Sequence, residues 1–344
     1  MKPFLVAPLL LAGTASEGTL VVLNKSDNTA SLAEAASGKV LATLPTGEGP
    51  HEVAVTRDGR RAFVSNYGRQ RPGNSLTVLD LVERKVEATW TFEAWSRPHG
   101  LALSPGERWL HVTSEGSRTL EVVDTQTGKV ATSLPTEAEV PHMVALSPTL
   151  GRAFVANIGS GSVGVFDLER GVRIANLPTG KGAEGIAVTP DGREVWVGNR
   201  AEDTVTVIAA DLLVVKETLP AAAFPIRVAI TPDGETALVS LARSGEVALF
   251  SRREKKEIGR VAMPAEAVDS EGRIFGGQFG KSPVPVGILV TPDGREAFVA
   301  CTQSDQVFVI DLASRKVVRE IRAGREPDGL GLATPAPASR PAGR

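Results

Sequence analysis

Three of the four histidines in this 344-residue chain directly follow a proline: Pro50-His51, Pro98-His99 and Pro141-His142, at intervals of 48 and 43 residues. The same place recurs, with Ala183 once replacing the proline, at 183, 225, 285 and 327. The residues after these markers are Glu184, Ile226, Val286 and Asp328. Imidazoles and carboxylates at equivalent places are the ligand types of Zn, Cu, Fe or Mn. A divalent transition metal held by His51, His99 and His142 is therefore one expectation. The same groups, flanked by Glu184 and Asp328, could instead act as general acid and base, or donate hydrogen bonds to an anion. The plainest alternative is that each imidazole bonds a carbonyl of the neighbouring unit.

Further groups are expected near these residues. Arg227 follows Ile226 directly, and Trp95 and Arg97 precede His99. The segment 263–284 makes one interval 60 residues long where 42 is usual, and long connections inside compact repeats often bind or cover ligands. Its Phe275 and Phe279 could cover such a ligand, with Gly276, Gly277 and Gly280 as hinges. Cys301 is expected to be a buried structural thiol rather than a nucleophile. No phosphate loop, nucleophile elbow, His-Glu-x-x-His zinc motif or haem-attachment motif occurs.

The elements that position these residues are short strands. One unit recurs: an apolar run, a Pro-Asp-Gly-type turn, a second apolar run, and two more. Its clearest copies are GIAVTPDGREVWVGN (Gly185–Asn199), RVAITPDGETALVSL (Arg227–Leu241) and GILVTPDGREAFVAC (Gly287–Cys301). In Pro-Asp-Gly the proline fixes φ, the aspartate bonds local backbone and the glycine accepts positive φ. No run has a sustained helical stripe. Four strands about every 42 residues match a blade repeat, so the chain is expected to be an all-β, seven-bladed β-propeller with four-stranded antiparallel blades. The N-terminal part supplies only three strands, and Pro327–Leu332 reads as the missing innermost one. The C-terminal strand should therefore close the first blade and leave no open edge. In such a ring the residue after each marker lies at the mouth of the central channel, where ligands usually bind.

The units resemble those of the YVTN-repeat, or surface-layer-type, β-propeller family, P-x-G-[IL]-A-V-[ST]-P-D-G-x-x-x-[FYW]-V-x-N, most closely over Ala183–Asn199 and Pro285–Cys301. The resemblance runs from about Gly18 to Leu332 and implies a binding or surface protein; similar seven-bladed propellers include lactonases and lyases. The expected function is thus binding of a small molecule or a protein partner at the channel mouth. A lactonase- or lyase-type enzyme using the His ring and a non-catalytic scaffold are the alternatives.

Composition narrows the class. With 38 Lys+Arg against 40 Asp+Glu, net charge −2, no field favours a polyanion, so no nucleic-acid partner is expected. One Cys excludes a disulfide framework. Met1-Lys2, the apolar run 3–12 and Gly13-Thr14-Ala15-Ser16 read as a signal peptide over 1–15, giving a periplasmic or secreted protein. No transmembrane segment is expected after cleavage, and a monomer is expected. The propeller should span 16–333, and the Pro/Ala-rich 334–344 should be a disordered tail.

Overall fold

The computed structural model describes residues 17–264 and 271–334. The segments expected to be a signal peptide and most of the tail lie outside them. Among the described residues there are twenty-eight strands and no helix, in seven four-stranded antiparallel sheets. The innermost strands are, in blade order, Pro327–Ala333, Pro50–Val55, Pro98–Leu103, Pro141–Ser147, Ala183–Val188, Pro225–Ile230 and Pro285–Val290. Each touches the next around the channel, and the seventh touches the first.

Closure follows the sequence pattern. Pro327–Ala333 pairs antiparallel with Thr19–Asn24, with Leu332 opposite Leu20 and Leu330 opposite Val22. Leu330 and Leu332 pack with Leu20, Val22, Phe298 and Val309, so the same strand also joins the first blade to the seventh. The core is a series of layers between faces of adjacent blades. In one, Trp196, Val205 and Val207 of the fifth blade meet Val228, Val239 and Phe250 of the sixth. Second and third strands such as Glu194–Asn199 are buried throughout, whereas outer strands such as Lys85–Thr91 alternate exposed and half-buried. The Pro-Asp-Gly turns close as expected: Thr189 donates its hydroxyl to Asp191 Oδ1 at 2.6 Å, the same oxygen accepts from the Arg193 amide, and Gly192 has φ +73°.

Two backbone devices aim side chains into the mouth. The residue before every inner strand is left-handed: Gly49, Arg97, Val140, Gly182, Phe224, Val284 and Glu326 have φ between 50° and 75°. Directly after it, every inner strand gains a residue against its partner, as between Pro50/Val53 and Asn66/Val64. Such bulges turn a strand and re-aim its side chains. They let successive residues, His51 with Glu52 and Ile226 with Arg227, serve the mouth. The bulge amides are satisfied from the second strand: Glu52 N–H donates to Ser65 Oγ, Gly100 N–H to Thr113 Oγ1 and Arg227 N–H to Ser240 Oγ. The glycine of Pro-His-Gly at 100 is required by close approach, since a Cβ there would lie 2.6 Å from the His142 carbonyl oxygen.

Candidate functional site

The expected ring forms. His51, His99, His142, Glu184, Arg227 and Asp328 all sit buried at the channel mouth. The three imidazoles form a tilted row: ring centroids are 3.9 Å apart for His51–His99, with planes at 54°, and 3.5 Å for His99–His142, at 35°, but 6.2 Å for His51–His142. His51, His99 and His142 together are not among the groups whose ligand atoms lie close enough to share one ion. Among the described residues, groups whose ligand atoms all lie within 4.8 Å of one another are His51–Glu52–His99 and His99–Glu115–His142.

The two end imidazoles are fully engaged. Lys25 Nζ donates to His51 Nε2 at 2.7 Å and to Asp328 Oδ2 at 2.9 Å, and His51 Nδ1 faces the same Asp328 oxygen at 3.0 Å. These partners assign the His51 proton to Nδ1. Burial, reinforced by the Lys25 charge, lowers the His51 pKa, while Asp328 is held far below the usual carboxylate range by Lys25 and His51 despite burial. His142 faces carboxylates on both sides, with Nδ1 2.5 Å from Glu115 Oε1 and Nε2 3.2 Å from Glu184 Oε1. Burial opposes its protonation, but the Glu184 charge and the two hydrogen bonds prevail and raise its pKa. Glu184 also pairs with Arg200 Nη1 at 2.5 Å and Arg227 Nη1 at 3.2 Å. Against its burial, His142 and these cations depress its pKa to about 2. Tyr67 donates its hydroxyl to Glu115 Oε2 at 2.6 Å.

His99 differs. It is fully buried, and neither ring nitrogen has a partner among the described residues. Burial, then the charges of neighbouring His142, His51, Arg227 and Lys25, keep its pKa well below 6.5 and the ring neutral. It is the member of the ring with lone-pair capacity left for an incoming atom.

Lys25, Tyr67, Glu115 and Arg200 form a second tier that the sequence reading did not assign. They follow the equivalent residues Asn24, Asn66, Ser114 and Asn199 at the ends of second strands, Tyr67 within a strand that runs on to Gly68 and the other three just past theirs. The alignment that gave the first ring also puts these four at one register, but as four different residue types. Both tiers are polar on blades one to three and five and apolar on six. The apolar side carries Ile226, Ala242 and Val286, packed with Val284 and Phe279. Phe279, expected to cover a ligand, is thus buried in this cluster, 4.9 Å from the Phe224 ring.

The polar side opens into a cavity of about 420 Å³ lined by Lys25, Tyr67, Arg69, Arg97, Arg273 and Glu326. Arg97 lies over the Tyr67 ring at 4.8 Å, Arg273 pairs with Asp305 at 2.7 Å, and Glu326 accepts from the Ile274 amide at 2.5 Å. Lys25 and Tyr67 belong to both cavity and ring.

Trp95, expected at the ligand, lies elsewhere. Its indole stacks on Phe92 at 3.7 Å, in the layer with Phe63, Leu110 and Val112 between the second and third blades. A flat aromatic there fills an apolar gap and is closed to the mouth. Cys301 is fully buried in the layer with Val299 and Phe308, and burial alone pushes its thiol pKa well above the ordinary value, as suits a structural role.

Comparison with solved structures supports the architecture. A protein of unknown function from Desulfotomaculum acetoxidans superposes with TM-score 0.76 at 15% identity, covering 93% of this chain and 100% of that one. Kuenenia stuttgartiensis hydrazine synthase gives 0.69 at 18% identity, over 83% and 92% of the two chains. The dihydro-heme d1 dehydrogenase NirN in complex with DHE gives 0.63 at 17% identity, over 92% and 68%. At these identities the likeness is one of fold. No curated protein matches the sequence. A family model described as lactonase, 7-bladed β-propeller, matches residues 16–146 and 172–270, and the chain belongs to that family.

Proposed function

We propose that this is an exported propeller that binds a small anion-bearing lactone at the channel mouth and hydrolyses it. One observation carries the reading: a cavity lined by the cations Lys25, Arg69 and Arg97 lies beside the buried histidines, joined to them by Lys25, which donates to His51. The cations would hold a carboxylate or phosphate on the substrate, with its ester over the imidazoles. In the reaction, water adds to the carbonyl carbon, the acyl C–O bond breaks, and the proton lost by water ends on the ring oxygen that becomes the hydroxyl. The family match favours this chemistry. A binding role without turnover is favoured by a different fact: both nitrogens of His51 and of His142 are already engaged, which leaves His99 alone for proton transfer.

The test is hydrolysis of γ- and δ-lactones, with and without a carboxylate substituent, followed by base uptake. Turnover of the carboxylated members, lost in Lys25→Met, supports the enzyme. No turnover but a thermal shift with the hydroxy acids supports the binder, and neither overturns both. Export rests on the N-terminal pattern, which agrees with the surface-layer-type resemblance. Sequencing of protein from the native host should give Ser16 or Glu17 first; retention of Met1 refutes it.

A further inference from the structure

We propose that His99, Glu115 and His142 form a divalent metal site at the channel mouth. Three observations support it. First, His142 Nδ1 and Glu115 Oε1 face each other at 2.5 Å, a geometry that places a proton between two good ligand atoms. An ion binds where such a proton is displaced. Second, the His99 ring lies 3.5 Å from that of His142, tilted 35° to it, and its ligand atom lies within 4.8 Å of the other two. It is completely buried with both nitrogens unpartnered among the described residues. Buried polar atoms are nearly always satisfied, and one that is not calls for a strained, catalytic or ion-binding explanation. Third, the atoms that would not coordinate are already held. Glu184 Oε1 faces His142 Nε2 at 3.2 Å, and the Tyr67 hydroxyl donates to Glu115 Oε2 at 2.6 Å. Carboxylate behind histidine and donor behind carboxylate is the outer arrangement that orients metal ligands.

Charge selects this group over the other. In His51–Glu52–His99, the Lys25 ammonium sits 2.7 Å from His51 Nε2 and the Arg227 guanidinium 2.6 Å from Glu52. A dication there would face two fixed cations bonded to its own ligands. In His99–Glu115–His142 the ligands themselves carry no ammonium or guanidinium hydrogen bond from the described residues; Arg200 and Arg227 engage Glu184, behind His142. Two imidazoles and one carboxylate with positions left open suit Zn²⁺ or Fe²⁺, and Co²⁺ as a spectroscopic substitute. Tyr67, which bonds the ligand Glu115, also lines the neighbouring cavity.

The site does not depend on lactone hydrolysis. Chelator-treated full-length protein is titrated with Co²⁺ by visible absorption and with Zn²⁺ by calorimetry. One equivalent is expected, with proton release seen as dependence of the heat on buffer ionisation. Glu115→Gln and His99→Gln should each weaken uptake at least about 100-fold, beyond the loss typical of outer partners. His111→Gln, in a different part of the third blade, should leave it unchanged. If His99→Gln fails to fold, Glu115→Gln alone decides. No uptake by wild type overturns the site. So does uptake that survives Glu115→Gln, or that Glu52→Gln abolishes while Glu115→Gln does not. Uptake without turnover of any lactone upholds the metal site while removing the proposed reaction; turnover by protein that takes up no metal does the reverse.

Discussion

Arg227, on the inner strand of the sixth blade, grips Glu52, on that of the second, with Nη2 2.6 Å from Oε1. Two blades three apart are as distant as a seven-membered ring allows, so this pair ties opposite walls of the channel. Arg227 also bonds Glu184 of the fifth blade and lies 3.9 Å from Asp328 of the first. Its side chain is 6% exposed and that of Glu52 14%. Removing one partner of such a pair leaves an uncompensated buried charge, at a cost of about 3–5 kcal/mol. Arg227→Met should therefore lower the melting temperature clearly. Arg227→Met combined with Glu52→Gln should recover part of the loss, because the double variant strands fewer charges. A single variant that melts with wild type would show the tie to be idle.

Closure by the last strand has its own consequence. A chain ending at Gly324 lacks the inner strand of the first blade, its pairing with Thr19–Asn24 and its packing against Val53 and Val55 of the second. It also lacks Asp328, the partner of His51 and Lys25. This chain should show no cooperative melt, whereas one ending at Thr334 should melt as the full protein does. A cooperative melt of the shorter chain within a few degrees of wild type would contradict closure as the main fastening.

The blades and the first ring were legible because repeats put them there. Pro-Asp-Gly turns mark the first hairpin of a blade, and the marker that opens each inner strand, a proline in six blades and Ala183 in the fifth, fixes the residue that follows at the mouth. The second tier was not legible, because Lys25, Tyr67, Glu115 and Arg200 share a register but no residue type. Only the assembled ring shows that an ammonium, a phenol, a carboxylate and a guanidinium surround the same imidazoles. Trp95 failed for another reason. The longer connection before Pro98 could aim an indole at the mouth or fold it back, and the Phe92–Trp95 stack takes it into the layer between blades. The unpartnered state of His99 is a property of packing that no spacing records.

The left-handed residue before each inner strand gives a paired prediction. Val140 has φ +54° and Val284 +56°, conformations that cost an L side chain roughly 1–2 kcal/mol. Glycine removes that cost but loses roughly 0.5–1 kcal/mol through the entropy of the unfolded chain. Val140 is 36% exposed and gives up little packing, so Val140→Gly should gain about 0.5–1 kcal/mol. Val284 is 1% exposed, and Val284→Gly forfeits roughly 1.5–3 kcal/mol of burial and should destabilise. Urea melts of the two variants check the opposite signs; equal signs would contradict it.

The fourth histidine makes its own contribution to acid stability. His111 lies 3% exposed on the second strand of the third blade, beside a cavity of about 460 Å³ between that blade and the fourth. Trp109, Leu134 and Leu146 share this wall, on the face opposite the histidine row. Burial lowers the His111 pKa to about 4, against a weaker opposing hydrogen bond to the Ala102 carbonyl. The unfolded chain, with an ordinary histidine near 6.5, therefore binds this proton first as pH falls. The contribution of neutral His111 is fully present above pH 6.5 and is lost progressively between 6.5 and about 4, a total of about 3 kcal/mol. Urea unfolding at pH 7.5 and 4.5 measures this directly. Wild type should lose about 2–3 kcal/mol more over that interval than His111→Gln, since groups common to both cancel in the difference. Parallel losses in the two proteins would mean that His111 accepts its proton in the folded state as readily as in the unfolded one.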